Sequence, residues 1–191
     1  MTTEGISYGS DYKHIPATSI RAGDQTRVLA DLTCLTVQIV NVAFYGMPDT
    51  GEFILIDAGT PGSADCIVHA ATERFGPNAR PAAIVLTHGH FDHVGAIIEL
   101  INLWNVPVFT HRLELPFVTG KSGYPDPDPT VEGGMVAKMS RLFPHEPIDL
   151  NGHVAPLPVD GLCRACQGGA GFTRRATRRG MCLCFAILTG R

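Results

Sequence analysis

Three imidazoles and one carboxylate fall within six consecutive residues: His88, His90, Asp92 and His93, in the stretch Thr87-His88-Gly89-His90-Phe91-Asp92-His93. Imidazole nitrogens with a carboxylate oxygen suit Zn²⁺, with Mn²⁺ or Fe²⁺ as further candidates. His88 and His90, two apart on extended chain, can point to one side, while Asp92 and His93 turn back where a helix begins. The set can therefore serve two adjacent metals. Two metals about 3.5–4 Å apart can share a water, lower its pKa toward about 7, and polarise a carbonyl or phosphoryl oxygen. The reaction implied is hydrolysis by a metal-activated water. The structural alternative is a His-rich surface loop with Asp92 as a helix cap.

The cluster lies where one element hands over to another. Ala82 to Leu86 is a short apolar run that predicts a buried strand, and His93 to Trp104 carries Val94, Ile97, Ile98 and Ile101 at helical spacing. Gly89 and Gly95 leave room for close backbone approach. Upstream, Leu32 to Tyr45 is rich in Val, Ile, Thr and aromatics and favours strand. Pro48-Asp49-Thr50-Gly51 supplies a turn before Glu52 to Asp57, so the two runs read as a hairpin closing at Asp57-Ala58-Gly59-Thr60. Ser63 is the expected cap of a helix over about Ala64 to Phe75, ended by Gly76-Pro77. Val108 to Thr110 is the next short strand. Gly120 to Pro129 reads as a stiff surface loop, and Met135 to Leu142 as a short helix. Alternating strands and helices predict an α/β arrangement.

The His motif resembles the His-x-His-x-Asp-His signature of the metallo-β-lactamase superfamily, and Ile54-Leu55-Ile56-Asp57-Ala58-Gly59-Thr60 resembles the strand and turn preceding it there. The resemblance covers about Val28 to Asp160. It implies an αββα sandwich with two zinc ions at one edge of the paired sheets. By that resemblance His88 and His90 bind the first metal, Asp92 and His93 the second, and Asp57 supports the metal loop from behind. Asp92 also stands as the candidate catalytic residue. On turn statistics alone, Asp57 reads as a turn-initiating residue.

Family members draw a third His, a bridging Asp and a final His from the second half of the fold. Downstream of His93 there are only His111, His145 and His153, in settings that suit surface histidines, and no acid follows Asp160. The expectation is therefore a metallo-β-lactamase-like domain over 1–160 with its second half incomplete, fewer than two zinc ions, and an aberrant basic, Cys-rich tail over 161–191. That tail holds six Arg, no acid, and four of the six Cys. Cys163-x-x-Cys166 with Cys182-x-Cys184 hints at a zinc knuckle beside a nucleic-acid patch, but the second gap is non-standard. A frameshift explains more. Let each codon take the third base of one residue and the first two bases of the next. The run from Phe172 to Cys182 then permits His-Thr-Pro-Gly-His-Thr-Pro-Gly-His-Val, with the Val forced by the single Met codon at Met181. That string resembles the missing third-ligand motif, so a one-base shift near Gly161 is expected.

Composition bounds the rest. The chain has 191 residues, 45% hydrophobic and 17% charged, which suits one globular domain. The net charge of -3 offers no sign of nucleic acid, and no apolar run is long enough to span a membrane. Two scattered cysteines, Cys34 and Cys66, and no visible export signal predict a cytoplasmic location. Within the superfamily that the His motif resembles, the resemblance permits lactonases, glyoxalase-type thioesterases, β-lactamases and phosphodiesterases. The absence of a visible export signal favours a hydrolase acting on a small-molecule lactone or thioester, lactonase-like or glyoxalase-like. Loops such as Lys121 to Pro129 would grip the substrate, with Lys121 and Tyr124 as candidate contacts or as solvated loop residues. The alternative is a non-catalytic relic that binds metal with an incomplete site. Oligomeric state is open.

Overall fold

Every residue of Glu52–Ile56 (β4) after the first is buried, and its two faces meet different cores. Phe53 and Leu55 point into the larger apolar cluster and Ile54 and Ile56 into a second one, as the two-residue period of a strand requires. A strand apolar on both faces belongs in the middle of a covered sheet. The computed structural model describes residues 5–12, 20–125 and 143–158. Among them, seven strands form one sheet in chain order: β1 (Gln25–Leu29), β2 (Leu32–Val37), β3 (Val40–Tyr45), β4, β5 (Arg80–Leu86), β6 (Val108–Thr110) and β7 (Val154–Pro156). Pairing is antiparallel from β1 to β4 and parallel from β4 to β7.

Parallel neighbours need crossovers, and helices supply them. α1 (Ala64–Phe75) joins β4 to β5, while α2 (Phe91–Val94) and α3 (Ile97–Trp104) join β5 to β6. α4 (Leu115–Val118) follows β6. Helices α1 and α3 bury Ile67, Ala70, Phe75, Ile97, Leu100 and Trp104 against one sheet face. At the centre Phe53 stacks on Phe75 at 4.4 Å, with the Trp104 edge at 6.1 Å. Removing an aromatic from such a stack costs about 3–5 kcal/mol. The other sheet face carries Leu32, Tyr45, Ile54, Ile56, Ala83 and Val85, with Phe109 and Leu157 packed against them.

The structure departs from expectation in three places. Leu32 to Tyr45 is two strands joined at Gln38-Ile39, where Gln38 takes φ of 50° without a Gly or Asn to announce the turn. β1 carries no apolar alternation because all five of its residues are exposed. The helix expected over His93 to Trp104 is broken at Gly95-Ala96. Their amides bond to the Gly59 and Ala58 carbonyls at 2.8 and 3.2 Å, tying the helix entry to the turn after β4. Ser63 does occupy the cap position of α1, but its hydroxyl donates back to the Thr60 carbonyl at 2.7 Å. The helix expected over Met135 to Leu142, most of the loop beyond Pro125, and the segment 161–191 lie outside the described residues.

Candidate metal centre

β4 ends at Asp57, whose backbone turns left-handed at φ 63°, a conformation Asp tolerates better than most residues. The turn carries the carboxylate under the end of β5. There it is 4% exposed and accepts the Thr87 amide at 2.7 Å, the Thr87 hydroxyl at 2.8–2.9 Å, and His93 Nδ1–H at 2.8 Å. A hydroxyl has one proton to give. Since Thr87 gives it to Asp57, its oxygen receives Nδ1–H of His88 at 2.9 Å. Asp57 thereby orients His93 directly and His88 through Thr87, leaving the Nε2 lone pair of each imidazole free.

The backbone adds its own ties. Ala58 N–H bonds to the His93 carbonyl at 2.7 Å, and the amides of His93 and Val94 bond to the His90 carbonyl. His90 is thus the extended residue that caps the short turn α2. These ties bring the sequence-selected residues together: the His88 and His93 rings are 4.0 Å apart, the His88 and His90 rings 4.8 Å, and Asp92 Oδ2 lies 3.9 Å from His93 Nε2.

The three imidazoles differ electrostatically. Burial pushes His88 below its usual pKa, helped by the neighbouring His93 and His90 and opposed by Asp57 and Asp92. Partial burial lowers His90 as well, with Asp92 opposing. Burial pulls His93 down too, but the hydrogen bond and charge of Asp57, with the charge of Asp92, outweigh it and the net shift is upward.

Several residues at the site were not legible in sequence spacing. Tyr124, expected in a surface loop, stacks on His90 at 4.0 Å and accepts the Gly89 amide at 2.7 Å. Its hydroxyl donates to Glu114 Oε2, and its ring also stacks on Phe117. From the N-terminal segment, the Tyr8 hydroxyl donates to Glu99 and accepts the Ile98 amide near the start of α3. Tyr12 stacks on Tyr8, its own hydroxyl buried and without a hydrogen-bond partner among the described residues. Burial raises the Tyr12 pKa, and the charges of Asp11 and Asp92 add to it. Lys121 is exposed beside Arg112, Thr119 and Asn151 in a surface cavity of about 310 Å³. His111 takes the Leu113 amide on Nδ1 at 3.3 Å, His145 faces Asp11 at 3.4 Å, and the His153 amide closes a turn on Leu150.

Among the described residues, no group of three or more His, Cys, Asp or Glu side chains is arranged to enclose an ion unaided. The donor chemistry fits a metal at one pair: His93 Nε2 and Asp92 Oδ2, at 3.9 Å, are near the spacing of about 3.4 Å that two ligands of one tetrahedral zinc adopt. Completion needs further ligands.

Comparison with known proteins identifies the family. Residues 35–164 match the family model of the metallo-β-lactamase superfamily. The chain is 49% identical over 149 residues to the Bacillus subtilis protein named "Probable metallo-hydrolase YflN", covering 78% of this chain and 56% of that protein. It is 41% identical over 54 residues to the hydroxyacylglutathione hydrolase of Erwinia tasmaniensis, covering 28% of this chain and 19% of that enzyme. The chain thus spans about half the length, or less, of these relatives. A solved subclass B3 metallo-β-lactamase with an active-site glutamic acid superposes with a TM-score of 0.51 at 15% identity, over 80% of this chain and 53% of that one, which shows a shared fold. Among the described residues no helix is long and apolar enough to cross a membrane. The α/β sheet, the Asp57-anchored His loop and the family match converge: this chain belongs to the metallo-β-lactamase superfamily of metallo-hydrolases.

Proposed function

We propose that His88, His90, Asp92 and His93 hold catalytic metal, zinc first, and that the reaction served is hydrolysis of a small-molecule ester-type bond, a thioester or a lactone. The observation that carries this reading is the double aim of Asp57, which holds two imidazoles with their Nε2 atoms free on one short loop. When bound, the metal supplies Lewis acidity, lowering the pKa of a water and polarising a carbonyl oxygen. The chain's own residues do the rest. Asp57 fixes the tautomers of His88 and His93, Asp92 places a carboxylate beside His93 Nε2, and the Gly59 and Ala58 carbonyls hold the helix entry that carries both. The thioester preference is supported by similarity to a hydroxyacylglutathione hydrolase. Among the described residues Cys34 and Cys66 form no disulfide, in keeping with a reducing cytoplasm.

The test is a panel of thioesters, lactones and phosphodiesters assayed with added Zn²⁺ on the wild-type chain and His90→Ala. Zinc-dependent cleavage of one ester class, lost in the variant, supports the reading. Cleavage indifferent to zinc or to His90 contradicts it.

A second reading is favoured by the lack of a three-donor cage among the described residues: a metal-binding chain with an incomplete site and little turnover. It accompanies a proposed one-base shift near residue 161, since the run from Phe172 to Cys182 permits a further His-rich motif in the alternative frame. In the same panel this reading gives zinc binding without cleavage.

A further inference from the structure

Two of the three clustered imidazoles are oriented by hydrogen bonds, His93 from Asp57 and His88 from Thr87. Among the described residues, His90 has no such bond on its ring. What it has is an aromatic face: the Tyr124 ring lies 4.0 Å away at 25°, and Tyr124 is stacked in turn on Phe117 at 4.3 Å and 9°. Parallel offset rings fix each other's tilt where no polar partner does. The same tyrosine reaches the residue before His90, because its hydroxyl accepts the Gly89 amide at 2.7 Å. Glu114, at the entry to α4, takes the hydroxyl proton and so fixes which lone pair faces Gly89. Position 89 is matched to this approach: a Cβ there would lie 2.9 Å from Val118 Cγ1 and 3.2 Å from the Tyr124 hydroxyl.

We propose that Tyr124, aimed by Glu114, is the positioning residue of the His90 side of the metal centre, the aromatic counterpart of Asp57 on the His93 side. This rests on the metal reading above for its purpose, though not for its geometry. Ring and hydroxyl have separable tasks: the ring sets the plane of the His90 imidazole, and the hydroxyl sets the path of the backbone that delivers it. Outer partners of metal-binding histidines typically influence affinity by about 10–100-fold.

The experiment compares the full chain with Tyr124→Phe, Tyr124→Leu and Glu114→Gln. Metal-free protein is followed by NMR for Gly89 amide exchange and His90 ring-proton shifts, and Co²⁺ is titrated with its visible spectrum as readout. Tyr124→Phe is expected to speed Gly89 exchange about tenfold while the His90 ring shifts stay near wild type. Tyr124→Leu is expected to lose both, and to weaken Co²⁺ binding by about tenfold or more with an altered spectrum. Glu114→Gln should resemble Tyr124→Phe. The phenylalanine variant keeps the packing, so it decides the hydroxyl's task even where the leucine variant unfolds. Wild-type His90 shifts and Co²⁺ spectrum in folded Tyr124→Leu would overturn the proposal, whatever the change in stability. A wild-type chain that binds no Co²⁺ would sink the metal reading, and the metal-free NMR comparison would still decide the role of Tyr124.

Discussion

Asp57 Oδ2 lies 2.8 Å from His93 Nδ1, and on the same carboxylate Oδ1 accepts the Thr87 amide at 2.7 Å. One buried side chain therefore closes β4, pins the end of β5 and aims two imidazoles. Hydrogen bonds to a buried charge contribute about 1.5–3 kcal/mol. Asp57→Asn is expected to destabilise the metal-free chain by that order.

The pH dependence of this loss has a definite sign. His93 has a folded pKa raised above the unfolded value of about 6.5. Its contribution to stability is fully present below about 6.5 and disappears as pH rises through the raised folded value. Asp57→Asn removes the partner responsible, so the gap in urea midpoint between wild type and variant should be wider at about pH 6 than at about pH 9. Equal gaps at both would contradict the assigned role of Asp57.

Gly95 is needed for space and not for backbone freedom. Its backbone is ordinary right-handed helix, φ −62°, yet a Cβ there would lie 2.3 Å from Pro61 N and from Thr60 C. Both are main-chain atoms, so the turn after β4 would have to move away from the His loop. Gly95→Ala is expected to cost about 1–3 kcal/mol by overpacking and to weaken metal binding, because Ala58 and Gly59 hold His93 and Gly95 by main-chain bonds. Equilibrium unfolding and a Zn²⁺ competition titration check the two effects; an unchanged unfolding midpoint would show that the turn yields freely.

How far the sequence discloses the site depends on how each residue acts. His88, His90, Asp92 and His93 are visible because the ligation proposed for them needs particular side chains at short, fixed spacing. Asp57 is legible only through the family resemblance of the Ile54 to Thr60 stretch, since its contacts to Thr87 and His93 span 30 and 36 residues. Tyr124, Glu114, Tyr8 and Tyr12 act across the fold with no local spacing to mark them. The same holds for the elements. α1 and β6 were legible from periodicity and punctuation, and β5 nearly so. The Gln38-Ile39 turn lacks a turn-forming residue, β1 is exposed throughout, and the break in the helix after the His loop comes from contacts with Ala58 and Gly59. Tertiary bonds there override a continuous helical pattern.

The proposal for the segment after residue 160 is tested on nucleic acid. The DNA around Asp160 to Leu162 should carry a one-base shift, beyond which the alternative frame encodes the His-Thr-Pro-Gly repeat permitted by Phe172 to Cys182. An intact frame, with no such sequence in the alternative one, would contradict it.

Whether the Asp57-supported His loop is a metal centre is decided by calorimetric titration of Zn²⁺ into the full 191-residue chain and into a His88→Ala/His93→Ala variant. Saturable binding at fewer than two equivalents is expected in the wild-type chain, lost in the double variant while its fold is retained. Binding unchanged in the variant, or no saturable binding in the wild type, would contradict it.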